Sequence, residues 1–171
     1  MRNRKREFGH KPAMTLAVNV TANCGTSAEH MSNYGLAIAR YADQLEAAGY
    51  PVEVIAVMGA QQGRNRTTHT WTVKAQGHGM NLADMAFSIG HPGCFRRLGF
   101  AALERSNMPE YSGYGQAGNA LPSDLPDRYR DAIILNGIDT VRQHSKTPAS
   151  ALSALTETID AIMAKREAVY H

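Results

Sequence analysis

Residues 14–20, Met-Thr-Leu-Ala-Val-Asn-Val, are apolar at nearly every position, with only Thr15 and Asn19 polar. A strand with one face in water alternates between apolar and polar, whereas a strand apolar at successive positions is covered on both faces, as in the middle of a parallel sheet. A parallel neighbour requires a crossover, usually a helix. This one run therefore sets the expectation of an α/β fold. The following residues agree with it. Leu36, Ala39, Ala42 and Leu45 recur at three- and four-residue spacing, in a helix that Ser32 can cap and that Gly49 stops just after Ala48. Val52 to Met58, apolar apart from Glu53, reads as the second strand.

Gln61 to Thr68 is polar and too short for a helix, so the next strand, Thr70 to Lys74, is expected to return antiparallel at a sheet edge. Its alternation places Trp71 and Val73 inward and Thr70, Thr72 and Lys74 outward. Asn81 and Asp84 mark a helix start, with Leu82, Met85, Ala86 and Ile89 as its apolar face. Gly90-His91-Pro92-Gly93 should break that helix. A further helix from Cys94 to Ser106 would then carry Phe95, Leu98 and Ala102, with its aromatic positions inward and Arg96 and Arg97 outward.

Asn107 to Pro126 is a long irregular stretch containing Gly113-Tyr-Gly115-Gln-Ala-Gly118, a formal GxGxxG. That pattern holds a dinucleotide only in a strand-to-helix turn, and here it follows a helix and precedes Leu121-Pro122, so it carries no cofactor expectation. Asp131 to Asn136 reads as another buried strand beside the first, with Val18 and Ile134 both in the core. Thr147 and Pro148 then open a last helix, whose apolar stripe is Leu152, Leu155, Ile159, Ile162 and Met163.

The 171 residues fit one domain, and no apolar run is long enough to span a membrane. Cys24 and Cys94 make no disulfide framework, and His91 with Cys94 is too small a set for a structural zinc site; a reducing cytoplasm is the expected setting. Of 18 Lys and Arg residues, Arg2, Arg4, Lys5, Arg6 and Lys11 crowd the first eleven positions against Glu7 alone, which leaves the remainder close to neutral. The division is therefore a basic arm over residues 1–13 and a single α/β domain over residues 14–171. The arm, with Arg96 and Arg97, offers contacts to phosphate or to an acidic protein surface.

The element order, and the residues at the strand ends, resemble a von Willebrand factor A-like domain of the compact kind associated with cobaltochelatase-like and MoxR-type ATPase partners. Ala47 to Val57 and His91 to Glu104 are also similar to segments of bacterial and phage proteins of that kind. The resemblance implies a three-layer, mostly parallel sheet with one antiparallel edge strand. It also implies a site assembled from an Asp-x-Ser-x-Ser loop after the first strand, a middle-loop Thr and an Asp after the fourth strand. Here the first element falls on Asn19-Val20-Thr21-Ala22-Asn23 and the last on Asp139, while Ser112 and Ser123 stand nearest the middle position. The anchoring carboxylate is replaced by Asn19, and Mg²⁺ depends on such a carboxylate, so no metal or other cofactor is expected. Asn19, Thr21, Asn23 and Asp139 are then candidates for a partner-binding loop, against the everyday use of Asn and Thr to satisfy loop backbone.

Among function classes, an enzyme would need a nucleophile with a base or a carboxylate pair, and Ser27-Ala-Glu29-His30 supplies the residue types without a triad's geometry. A nucleic-acid binder would need a basic stripe beyond the arm. The expectation is a non-catalytic interaction or assembly module whose partner is another protein, such as a MoxR-type ATPase, or a second copy of itself. The alternative is a nucleic-acid-binding accessory protein acting through the arm.

Overall fold

The computed structural model describes residues 11–22, 25–62, 65–79, 81–105, 116–117, 120–136 and 147–170. The first strand, β1 (Met14–Asn19), is central, as its composition requires. It pairs in parallel with β2 (Val52–Gln62) in the register Met14–Val52 to Asn19–Val57, and on its other side with β5 (Ile133–Leu135), Leu16 opposite Ile133 and Val18 opposite Leu135. The sheet order is β3-β2-β1-β5, with β3 (Asn65–Lys74) antiparallel at the edge and a short β4 (Gln116–Ala117) pairing antiparallel with β2 at Ala60 and Gln61. This is the expected mixed α/β sheet, parallel at its centre with an antiparallel edge.

The hairpin is longer than the apolar pattern suggested. Gln61 to Thr68 is not a linker: Gly59 pairs with Thr68 and Gln62 with Asn65, so β2 and β3 run on as a ribbon, flanked by β4 at Ala60 and Gln61. The pairing of β1 with β2 ends at Asn19 and Val57, and beyond it a ribbon has no need of apolar side chains on both faces.

Helix α1 (Ala28–Ala47) begins a turn earlier than expected, at Ser27, whose Oγ accepts a hydrogen bond from His30 N. Ser32 is an exposed residue inside it. The buried face is carried by Met31, Tyr34, Ala37, Ile38, Tyr41 and Ala42, and Leu36 is exposed. Gly49, at φ +90°, makes the expected left-handed stop. Helix α2 (Leu82–Gly90) is capped by Asn81 as expected, with Asn81 Oδ1 accepting from Ala83 N and Asp84 N. Met85 and Ile89 are buried, but Leu82, on the same stripe, is exposed at the first position of the helix. The chain does break at His91. It continues as a π-helical turn, Cys94–Gly99, and then α3 (Phe100–Glu104), rather than one α-helix. The wider winding buries Phe95 and turns Leu98 outward with Arg96 and Arg97. The last helix, α4 (Pro148–Tyr170), opens as expected: Ser150 N donates to Thr147 Oγ1 while Thr147 N donates back to Ser150 Oγ. Leu155 and Ile159 are buried, Leu152 is half-buried, and Ala151 joins them.

The sheet divides the interior into two cores. On one face Leu16, Val18, Val54, Ala56, Ile133 and Leu135 meet apolar residues of α1, α2 and α4. On the other face Ala17, Ile55 and Val57 meet Ala120, Leu125, Tyr129 and Ala132, from a segment wound into the short 3-10 turns Pro122–Asp124 and Asp127–Tyr129. Val18 is fully buried; Ile134, expected beside it in the core, is half-buried on this second face.

Edge strand β3 departs from simple alternation at one point. Trp71 and Val73 pack inward against the helical core and Thr72 is exposed, as expected, but Lys74 is buried rather than outward. The register steps from Ile55–Thr72 to Val54–Lys74, leaving Val73 as the extra residue of a β-bulge. A bulge resets which face a side chain occupies. Lys74 therefore shares the helical side with Val54, where its Nζ donates to Glu46 Oε1 at 2.6 Å and to Val52 O at 2.8 Å.

Candidate functional site

The parallel register carries two asparagines to the same place. With Ala17 opposite Ile134 and Val18 opposite Leu135, the next pair along is Asn19 and Asn136, just beyond the ladder and on the second face. Asn19 Nδ2 donates to Asn136 Oδ1 at 3.1 Å, and Asn19 Oδ1 accepts from Thr21 N at 2.9 Å, closing an Asx turn. Thr21 Oγ1 accepts from Gly59 N at 2.9 Å and donates to Gly59 O at 3.3 Å, which ties the loop to β2. Asn136 in turn copies a backbone strand: its Oδ1 accepts from Ala120 N at 2.7 Å and its Nδ2 donates to Ala120 O at 3.0 Å.

The strand ends are where open α/β sheets usually hold ligands. Here those polar groups bond to one another, and Ala120 lies over them, nearly fully buried. Asn19 is itself buried. Asn136 is the member of the cluster that sequence reasoning missed; its signal was an amide at the end of a strand beside another strand ending in an amide. Asn23 and Asp139, the remaining expected partners of this site, lie outside the described residues, as does Ser112. Ser123 is exposed in the 3-10 turn Pro122–Asp124. Among the described residues no three His, Cys, Asp or Glu side chains gather in a metal-binding group.

A family model described as a domain of unknown function, DUF7192, matches residues 1–164. The chain belongs to the DUF7192 family. No curated protein and no solved structure matches it.

Elsewhere in the DUF7192 domain the other candidate residues separate. Ser27 Oγ is engaged as the cap of α1, so Ser27, Glu29 and His30 form a helix start. His91 stacks its ring on Phe87 at 5.4 Å and accepts from Gly93 N through Nδ1, while Cys94 turns into the core, where burial pushes its thiol pKa up. His91 and Cys94 therefore do not converge. Of Gly113–Gly118, the described Gln116 and Ala117 form β4, a strand pairing with β2. Arg96 and Arg97 are exposed, and Arg96 Nη2 donates to Thr26 O at 3.3 Å, so one guanidinium steadies the loop before α1. Of the basic arm, Lys11 is described, with its ammonium 4.2 Å from the Tyr50 ring centroid; Arg2, Arg4, Lys5 and Arg6 lie outside the described residues. No helix among the described residues is long and apolar enough to cross a membrane.

Proposed function

We propose that this chain is a non-catalytic interaction module of the cytoplasm that works as part of an assembly. One observation carries the reading: the amides and hydroxyl at the strand ends, Asn19, Thr21 and Asn136, are engaged with one another and with Gly59 and Ala120. A reaction there would have to break that cluster before any of its groups reached a substrate.

A compact von Willebrand A-like arrangement is part of the same proposal. The order β3-β2-β1-β5, with β1 central and β3 antiparallel, supports it, and the segment over Ala120, Leu125 and Tyr129 would stand as its third layer. Asn19 would then occupy the place of the metal-anchoring carboxylate, with the loop left to peptide contacts. A MoxR-type ATPase is one partner this likeness implies.

Light-scattering mass on size exclusion, from micromolar to submillimolar chain and with or without oligonucleotide, tests the reading. A mass above the 18.6 kDa of one chain that rises with concentration is expected. A constant single-chain mass, with oligonucleotide binding that weakens steeply with salt, would overturn it in favour of nucleic-acid binding through the arm.

A further inference from the structure

We propose that the free edge of β3 pairs antiparallel with the same edge of a second copy, about a two-fold axis at Thr70, so that one sheet runs through two chains. This rests on the assembly reading above and names the partner and the surface.

Strand β3 is ten residues long and pairs only with β2 among the described residues. Half of its backbone N–H and C=O groups therefore face away from the sheet along a regular edge. Natural edges of this length are guarded by charge, proline or a bulge. Here the guards stand at the ends. At one end are the bulge at Val73 and the inward Lys74, neutralised by Glu46. At the other is Arg66, paired with Asp124 at 2.7 Å. Between them Thr67-Thr68-His69-Thr70-Trp71-Thr72 has no proline, no bulge and no Lys, Arg, Asp or Glu.

That neutrality favours a second copy over an unlike partner. In a two-fold contact each residue near the axis meets itself or its close neighbour, so a charged side chain there would face its own sign. An edge meeting a different chain has no such constraint and could keep its charges. The guards also set the length and centre of the pairing. Opposed residues must share a face, because a one-residue slip would set the helical face of one copy against the opposite face of the other. Centred on Thr70, the pairing runs from Thr68 to Thr72 and stops where the bulge begins. Thr70 then meets Thr70 of the second copy and Thr68 meets Thr72, giving an all-threonine row on the face away from the helices. On the helical face His69 meets Trp71 twice, an aromatic cross-strand pair of the kind that stabilises sheets. Centring on His69 instead would put two imidazoles opposite each other.

The test uses the full chain with single substitutions. Thr70→Cys is expected to form a disulfide dimer under mild oxidation, beyond any seen in the unsubstituted chain, because opposed strand residues lie within disulfide reach. Thr72→Cys is not, since it would stand ~14 Å from its own copy. Thr70→Lys, with the melting temperature and circular dichroism of the unsubstituted chain, is expected to return the mass to that of one chain; Thr70→Glu, whose carboxylate would likewise meet its own copy, serves if Thr70→Lys fails to fold. An oligomer that survives the folded Lys variant, with no Thr70→Cys cross-link, overturns edge pairing and leaves the assembly reading standing. An unsubstituted chain that is monomeric at every concentration overturns both.

Discussion

Gly35 and Gly90 meet backbone to backbone where α1 packs on α2: a Cβ placed on Gly35 would stand 2.8 Å from both Cα and N of Gly90. From the other side, a Cβ on Gly90 would come 3.0 Å from Met31 O. These are main-chain atoms, which no rotamer change moves aside. Gly35→Ala gains helix propensity, worth up to ~1 kcal/mol, yet it must force the two helices apart. The expected net result in urea unfolding is a loss of about 1 to 2 kcal/mol. Gly79→Ala, which meets nothing within 4 Å, should leave the midpoint unchanged.

Millimolar Mg²⁺ is expected to leave the melting temperature where it is. Only an ion that binds the folded state raises it, and Asn19 already bonds to Thr21 and Asn136. A rise that disappears in Asp139→Ala would show a metal site at these strand ends.

Alkaline pH should weaken the fold through Tyr41 and Cys94. Burial, then the Asp160 carboxylate and Tyr50, raise Tyr41 above the ordinary 10.0, and burial raises Cys94 above 9.0. The folded chain holds these protons after the unfolded chain has released them. Their stabilisation is therefore complete below about pH 9 and lost as pH climbs through the folded values. In Asp160→Asn, ultraviolet titration of the phenol should move toward lower pH, because one of its raising influences is gone.

The Lys74–Glu46 pair should respond unequally to the loss of either partner. The side chain of Lys74 is 2% exposed and that of Glu46 29%. Glu46→Gln strands an ammonium away from water and is expected to cost about 2 to 3 kcal/mol, discounted for the partial exposure of Glu46. Lys74→Met removes the buried charge and leaves a carboxylate that water can reach, so its cost should be smaller. Denaturant titration of the two variants checks the order.

The parts of the fold readable in the sequence were those governed by burial. Met14 to Asn19 announced a central strand because both its faces are covered, and Asn81 and Thr147 announced helix starts because capping is local. Ser27 was missed because Ala28 and Glu29, the residues it introduces, are exposed and show no apolar periodicity. The ribbon beyond Val57 was missed because its pairing is backbone to backbone, which leaves no apolar imprint. Lys74 was assigned to the wrong side because a bulge depends on the register of two strands together. At the candidate site Asn19 and Thr21 were legible as polar groups after an apolar strand. Their joining to Asn136 and Ala120 was not, since it requires the pairing of β1 with β5, more than a hundred residues away in the chain.

The segment over the second face is held by Asn136 to Ala120 and by Arg66 to Asp124, and β4 just ahead of it pairs with β2. Its core is smaller than the helical one and separated from it by the sheet. Released from these bonds, it can lift while α1, α2 and α4 stay packed, so the chain should open in two steps of unequal free energy. In native-state amide exchange the amides of Leu121, Leu125 and Tyr129 would form an early-exchanging group and those of β1 the last, so the molecule behaves as two cooperative units built on a single sheet.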